Sequence, residues 1–226
     1  MTSVSRRQHH WVIGDVHGCA ESLEQLLQQL PDRDRLIFCG DAINRGPAIA
    51  ATMDIIWGLV EQGRAVWLRG NHEQDLITAL RGGTWQADRA LAGCDTFRHL
   101  GDTACRQWLT RLEHLPLAYW GDGWVATHAG FDPETWQPDL RVRLGFWQHY
   151  DGRFGEVIIG HTPGPHVRRL PHIVMVDTGA CYGGELSAYC PETRAVISVP
   201  GLRPEEPRPL PGLRAPLVSG AASPGL

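Results

Sequence analysis

The chain contains no lysine; all 21 of its basic residues are arginine. That excludes a Walker-type phosphate loop and a lysine nucleophile together, although genome base composition accounts for the bias equally simply. No apolar run approaches the roughly 18–20 residues of a membrane span. Trp11-Val12-Ile13 is too short for the core of a signal peptide. The six cysteines form no C-x-x-C pair and read as reduced cytosolic thiols, not a disulfide framework or a zinc site. A net charge of −4 without long charge runs offers nothing to nucleic acid or an anionic membrane. Packable residues run out from Pro200 onward, where seven prolines and several glycines accompany little β-branched content. Residues 200–226 therefore read as a tail. Residues 1–199 read as one cytoplasmic domain, within the usual single-core limit of about 250 residues.

What the chain does have is six short islands: GDVHG (14–18), GDAINRGP (40–47), GNHE (70–73), HAG (128–130), GHT (160–162) and DTG (177–179). Each sets Asp, Asn or His beside glycine, and most follow a short β-branched run. Oxygen donors and imidazoles gathered at strand ends are what a pair of divalent transition metals requires. Glycine beside them lets the backbone turn sharply and approach the ions. One Gly-Asp or Asp-x-His pair is ordinarily just a turn; six in this order are not.

The islands follow a regular frame. Trp11–Ile13, Arg35–Cys39 and Ala65–Leu68 read as short strands, each running into an island and then into a helix. Leu23, Leu26, Leu27 and Leu30 recur at helical spacing, as do Ile49, Met53, Ile56 and Val60. In open α/β sheets, sites form at the carboxyl ends of strands, which places Asp15, His17, Asp41, Asn71 and His72 along one rim. Later strands (Trp124–Thr127, Val157–Ile159, Ile173–Val176, Glu185–Cys190, Arg194–Val199) suggest a second sheet packed on the first, with His128, His161 and Asp177 at its strand ends. Between the third and fourth islands, about residues 75–122 read as a helical insertion capping the site.

The islands resemble the signature of the PPP family of metallophosphatases, especially its small bacterial and phage-type members, over about residues 11–199. The resemblance implies an α/β (α+β) calcineurin-like fold, a two-sheet β-sandwich flanked by helices around two metal ions. Asp15 and His17 would bind the first metal, Asp41 would bridge both, and Asn71, His128 and His161 would bind the second. The ions would be Mn²⁺ or an Fe/Zn-type pair, between which the ligand set does not decide. Two cations about 3.5–4 Å apart acidify a bridging water, which attacks phosphorus directly as hydroxide, and neutralise phosphate oxygens. Arg45 and Arg69 offer planar donor forks for those oxygens, and His72 would protonate the leaving oxygen. Glu73 reads as ordering its loop, and Asp177 as supporting a ligand from behind. Gly93-Cys94-Asp95-Thr96-Phe97 weakly resembles a glycine-rich substrate-side segment of bacterial members.

Two places depart from the pattern. Protein phosphatases of this family carry a second Asp in island two, where this chain has Asn44. An uncharged partner lowers the pKa of His72, which favours substrates with good leaving groups. His149, in Trp147-Gln148-His149, stands where phage-type members place a phosphate-binding arginine; Arg141, Arg143 or Arg153 are nearby substitutes. The leading reading is a phosphomonoesterase acting on phosphoprotein or small phosphoesters. The alternative is symmetrical hydrolysis of dinucleoside polyphosphates, whose enzymes also continue with Arg-Gly-Pro but have a longer chain and read GNHD. A third reading, a regulatory protein keeping its metals without efficient turnover, sits poorly with six intact ligands.

Overall fold

The computed structural model describes residues 8–202, so the tail beyond Leu202 and the first seven residues lie outside the described structure. Strand, loop and helix repeat three times at the start: β1 (His10–Ile13) and α1 (Ala20–Gln29), β2 (Arg35–Phe38) and α2 (Ile49–Glu61), β3 (Ala65–Trp67) and α3 (Asn71–Arg81). The region read as an insertion forms α4 (Trp85–Ala92) and α5 (Asp95–Glu113), the latter broken at Gly101, whose φ of 78° is not helical. There follow β4 (Ala118–Trp120), β5 (Trp124–Thr127), β6 (Gly130–Phe131), β7 (Pro138–Asp139), α6 (Leu144–His149), β8 (Glu156–Ile159), β9 (Arg168–Leu170), β10 (Ile173–Met175), β11 (Glu185–Tyr189) and β12 (Val196–Pro200).

Two five-stranded sheets result, in the orders β12-β11-β1-β2-β3 and β4-β5-β8-β10-β9. The first corrects the sequence reading: β11 and β12 belong to it and not to the second sheet. Here β11 lies antiparallel to β1, Val12 opposite Tyr189, and supplies hydrogen-bond partners to an edge that β2 leaves open. Strand alternation then builds the layers. Val12, Ile37, Leu68 and Tyr189 face Ala126, Ile158 and Val174 of the second sheet in a buried layer between the sheets. Their neighbours Trp11, Ile13, Leu36, Phe38 and Trp67 point the other way, onto buried residues of α1 and α2 such as Leu23, Leu26, Met53 and Ile56. On the far side, Val157, Ile159 and Met175 pack on Phe131, Phe146 and Tyr150. Trp108 of α5 meets Trp57 of α2 and Trp67 of β3 edge-on, so the insertion is anchored to the first layer.

The consequence is a shared rim. The parallel strands β1, β2 and β3 run together, as do β5, β8 and β10. An island follows the end of each, so all six loops leave one edge of the sandwich. No helix among the described residues is long and apolar enough to cross a membrane.

Candidate active site

At that rim the loops converge on Asp41. Its Oδ2 lies 3.7 Å from His17 Nε2, 3.8 Å from His72 Nε2 and 3.5 Å from His128 Nε2. Asp41 is also common to two groups of donor atoms, His17–Asp41–His72 and Asp41–His128–His161, each within 4.8 Å of one another. Asn71 Oδ1 is 3.0 Å from His128 Nε2, and the Asp15 carboxylate accepts the His161 backbone N–H at 3.0 Å. The structure thus brings together all six candidate ligands and His72. The backbone is held against its preferences to do so: His17, Asp41, Asn44, Arg45 and His161 all have positive φ. Such conformations cost on the order of 1–3 kcal/mol each and persist only where the surroundings enforce them. Two glycines make room: a Cβ on Gly70 would come within 2.2 Å of Asp41 Oδ1, and one on Gly160 within 2.2 Å of Asp15 Oδ1.

The donor set fits divalent cations. His17 Nδ1 donates to the Ile43 carbonyl at 2.7 Å, and His128 Nδ1 to the Cys39 carbonyl at 2.8 Å. Each bond fixes the tautomer that turns an Nε2 lone pair into the cluster, as metal ligation requires. Burial, the largest cause in each case, pulls His17 down to about 2, His161 to about 3 and His128 to about 4, so the imidazoles are neutral near pH 7. Burial also raises the Asp15 and Asp177 carboxyls and pushes Asp41 up to about 7. Neutral imidazoles beside crowded, buried carboxylates leave negative charge uncompensated, which is the condition two cations relieve.

The model of the Calcineurin-like phosphoesterase family matches residues 9–189, a span holding every candidate ligand. The chain belongs to that family. It is a metallophosphoesterase by membership, and the family uses divalent metals. The asymmetrical bis(5'-nucleosyl)-tetraphosphatase PrpE of Anoxybacillus flavithermus is 28% identical over 232 residues, covering 85% of this chain and 94% of its own. The symmetrical bis(5'-nucleosyl)-tetraphosphatase of Ralstonia nicotianae is 37% identical over 146 residues, 64% of this chain and 49% of its own. In fold, the chain resembles a Saccharomyces cerevisiae protein serine/threonine phosphatase similar to human PP5, with a TM-score of 0.60 at 14% identity, covering 91% of this chain and 83% of that one.

The polar residues around this phosphoesterase centre divide sharply. Arg45 reaches it: Nη1 lies 2.9 Å from His17 Nε2 and Nη2 3.2 Å from His72 Nε2. Arg69 does not. Its guanidinium donates to the carbonyls of Glu113 and Leu115 and to Gln74, tying α3 to the end of α5. His149 is exposed, and its ring is bonded to the Gly145 carbonyl within its own helical turn. The arginine at the rim is Arg143, whose Nε is 3.3 Å from His161 Nε2. Arg141 is paired with Asp75, and Arg153 with Asp151 over the face of Trp136. Asp177 supports no histidine; it accepts the Gly179 N–H at 3.0 Å and shapes the turn behind it.

Asn44 is held by a segment 52 positions away in the chain. Its Oδ1 accepts from the Thr96 backbone N–H at 2.9 Å and from Thr96 Oγ1 at 2.7 Å, while its Nδ2 lies 2.7 Å from His72 Nδ1. The weak glycine-rich resemblance around Thr96 was the only sequence signal for this clamp.

Glu73 is fully buried and accepts three backbone N–H groups, from Asp41 (2.8 Å), Ala42 (2.9 Å) and Gly70 (2.8 Å). It therefore locks islands two and three together. Glu73→Gln turns an N–H₂ toward at least one of those donors and leaves it unsatisfied. The expected loss is about 2–3 kcal/mol, read as a melting temperature lower by roughly 5–10 °C. A melting temperature within 1 °C of the parent would show that this junction is not what orders the loops.

Proposed function

We propose that this phosphoesterase hydrolyses a phosphoanhydride bond of dinucleoside polyphosphates of the bis(5'-nucleosyl)-tetraphosphate type, which widens the symmetrical alternative of the sequence reading to either cleavage and replaces its phosphomonoester reading. The observation that carries this is the contact between Asn44 and His72. A backbone N–H only donates, so Thr96 fixes Oδ1 on its own side and turns the Asn44 N–H₂ toward His72 Nδ1. That nitrogen then accepts, and the ring proton sits on Nε2. An imidazolium would set N–H against N–H₂, and burial already lowers His72 to about 4. His72 is thus a hydrogen-bond donor at Nε2 and a reluctant acid. Arg45 Nη2 points its protons at the same place, and two donors 3.2 Å apart share an anionic oxygen well.

A reluctant acid suits a leaving group that needs no proton. In the proposed reaction a water oxygen bonds to phosphorus, the bridging P–O bond breaks, and its electron pair leaves on a nucleotide phosphate. Two ADP, or AMP and ATP, result according to the phosphorus attacked. Two divalent cations held by Asp15, His17, Asp41, Asn71, His128 and His161 would supply water activation and charge neutralisation. Arg45 and Arg143 would hold phosphate oxygens. A cavity of about 550 Å³ opens beside His72 and Asn44, floored by Leu76, Ala79 and Ala87, with room for a bulky leaving group. The names of the PrpE and symmetrical relatives support the same reading.

The test is phosphate and nucleotide release in Mn²⁺ from diadenosine tetraphosphate, a phosphoserine peptide and p-nitrophenyl phosphate. Nucleotide products with a nearly inert peptide are expected; strong release from the peptide would move the assignment to protein phosphatase. Asn44→Asp keeps the Thr96 bond and gives His72 Nδ1–H an acceptor. It should raise peptide turnover on the order of a hundredfold and change tetraphosphate turnover far less. Equal gains on both would overturn the leaving-group argument.

A further inference from the structure

We propose that Tyr182 is the stacking platform for a nucleobase of the substrate, an inference that rests on the nucleotide reading above and names a subsite for it. Tyr182 ends a single 3₁₀ turn, Ala180–Tyr182, immediately after the Asp177 island. A tyrosine packed for stability would be covered; this side chain is 61% exposed. Yet it does not stand on a loose loop. Gly179 and Gly183 flank the turn in the left-handed conformation, with φ of 73° and 86°. The Tyr182 and Gly184 N–H groups both donate to the Gly179 carbonyl, and Glu185 donates to Thr178. Asp177 caps the same turn through the Gly179 N–H. An exposed aromatic on a rigid, multiply anchored turn is a built surface, with its ordering entropy already met before a ligand arrives.

Its position relative to the reacting centre gives the ligand. The Arg45 guanidinium carbon sits 5.1 Å from the ring centroid. The two terminal nitrogens of that same guanidinium lie against His17 and His72. One planar cation therefore links the phosphate locus to the tyrosine. A ligand following that path has negative charge at one end and a flat apolar group at the other. A nucleoside phosphate has that form. Beyond the Arg45 contact the exposed ring borders a groove of about 350 Å³, walled also by Pro163, Pro165 and Thr178. Stacking on tyrosine accepts any base, because every base has a π-face; the site selects for a nucleobase, not for one base.

The test compares ADP with pyrophosphate, the same phosphates without the nucleoside, by calorimetric titration of the full chain in Mn²⁺. The parent protein should bind ADP more tightly than pyrophosphate. Tyr182→Ala should lower that ratio by about ten- to a hundredfold, the range for one lost base–aromatic stack, and Tyr182→Phe should restore it. Any effect of the substitution through Arg45 touches both ligands alike and cancels in the ratio. An unchanged ratio in Tyr182→Ala, or equal ADP and pyrophosphate affinity in the parent, overturns the platform. Should diadenosine tetraphosphate resist hydrolysis while the ADP preference still depends on Tyr182, the substrate reading fails and the platform stands.

Discussion

Asp41→Asn should lower kcat for diadenosine tetraphosphate, and for p-nitrophenyl phosphate, by about 10³-fold or more. Asp41 Oδ2 stands within 4 Å of three imidazole nitrogens and belongs to both donor groups, so it is the one anion the two cations would share. An amide carries no charge there and offers its nitrogen to no metal. Losing about 4 kcal/mol of the several that metal ions contribute to the transition state gives three decades in rate. The fold should tolerate the change. Asparagine accepts a positive φ, here 49°, more readily than most residues, and Oδ1 can still accept the His72 backbone N–H. The expected result is a lost rate and reduced bound metal, with a melting temperature in chelator no lower than the parent's. Turnover within tenfold of the parent would remove Asp41 from the bridging position.

The candidate ligands could be picked out because a metal site of this kind would write itself into local sequence. Each donor needs a strand end, a turn and a glycine beside it, and GDVHG or GNHE states all three within five residues. The layers were legible where alternation and helical spacing repeat, as in Trp11–Ile13 and Ile49–Val60. Sheet membership was not, since nothing within Glu185–Tyr189 says which edge it pairs with; only the open side of β1 decides that. Where a side chain turns is equally unwritten: Arg69 offers the planar donor fork of a phosphate clamp, and that fork is bonded to carbonyls near residues 113–115. Arg143 and His149 lie six residues apart around α6, and its turn sends only the first to His161. Asn44 shows the limit most clearly. Its identity predicted a weakened acid, but which way its amide faces depends on Thr96. Tyr182 carries no pattern at all; its exposure and its Arg45 contact exist only in three dimensions.

The same cluster predicts different pH dependences of stability with and without metal. In chelator, the buried carboxyls of the ligand cluster hold protons that the unfolded chain releases: Asp41 titrates at about 7 against a usual 3.8, and Asp15 is raised as well. Unfolding then sheds protons, so their stabilisation is present at low pH and lost as pH rises toward the folded values. The buried histidines act in the other sense. His17, His72, His128 and His161 fall to between about 2 and 4, so below 6.5 the unfolded chain binds protons that the folded one refuses. The two sets oppose each other below pH 6.5; above it the histidines are silent and only the carboxyls contribute. Chelated protein should therefore lose about 1–2 kcal/mol between pH 6.5 and 8, or roughly 2–8 °C in melting temperature. Bound cations require those carboxylates ionised and those imidazoles neutral, so saturating Mn²⁺ should abolish the decline. At a hundredfold above its dissociation constant, each ion adds about 2.7 kcal/mol. The two melting curves should consequently separate as pH rises through 6.5–8. Parallel curves would mean that the carboxylates of this rim are not where the cations bind.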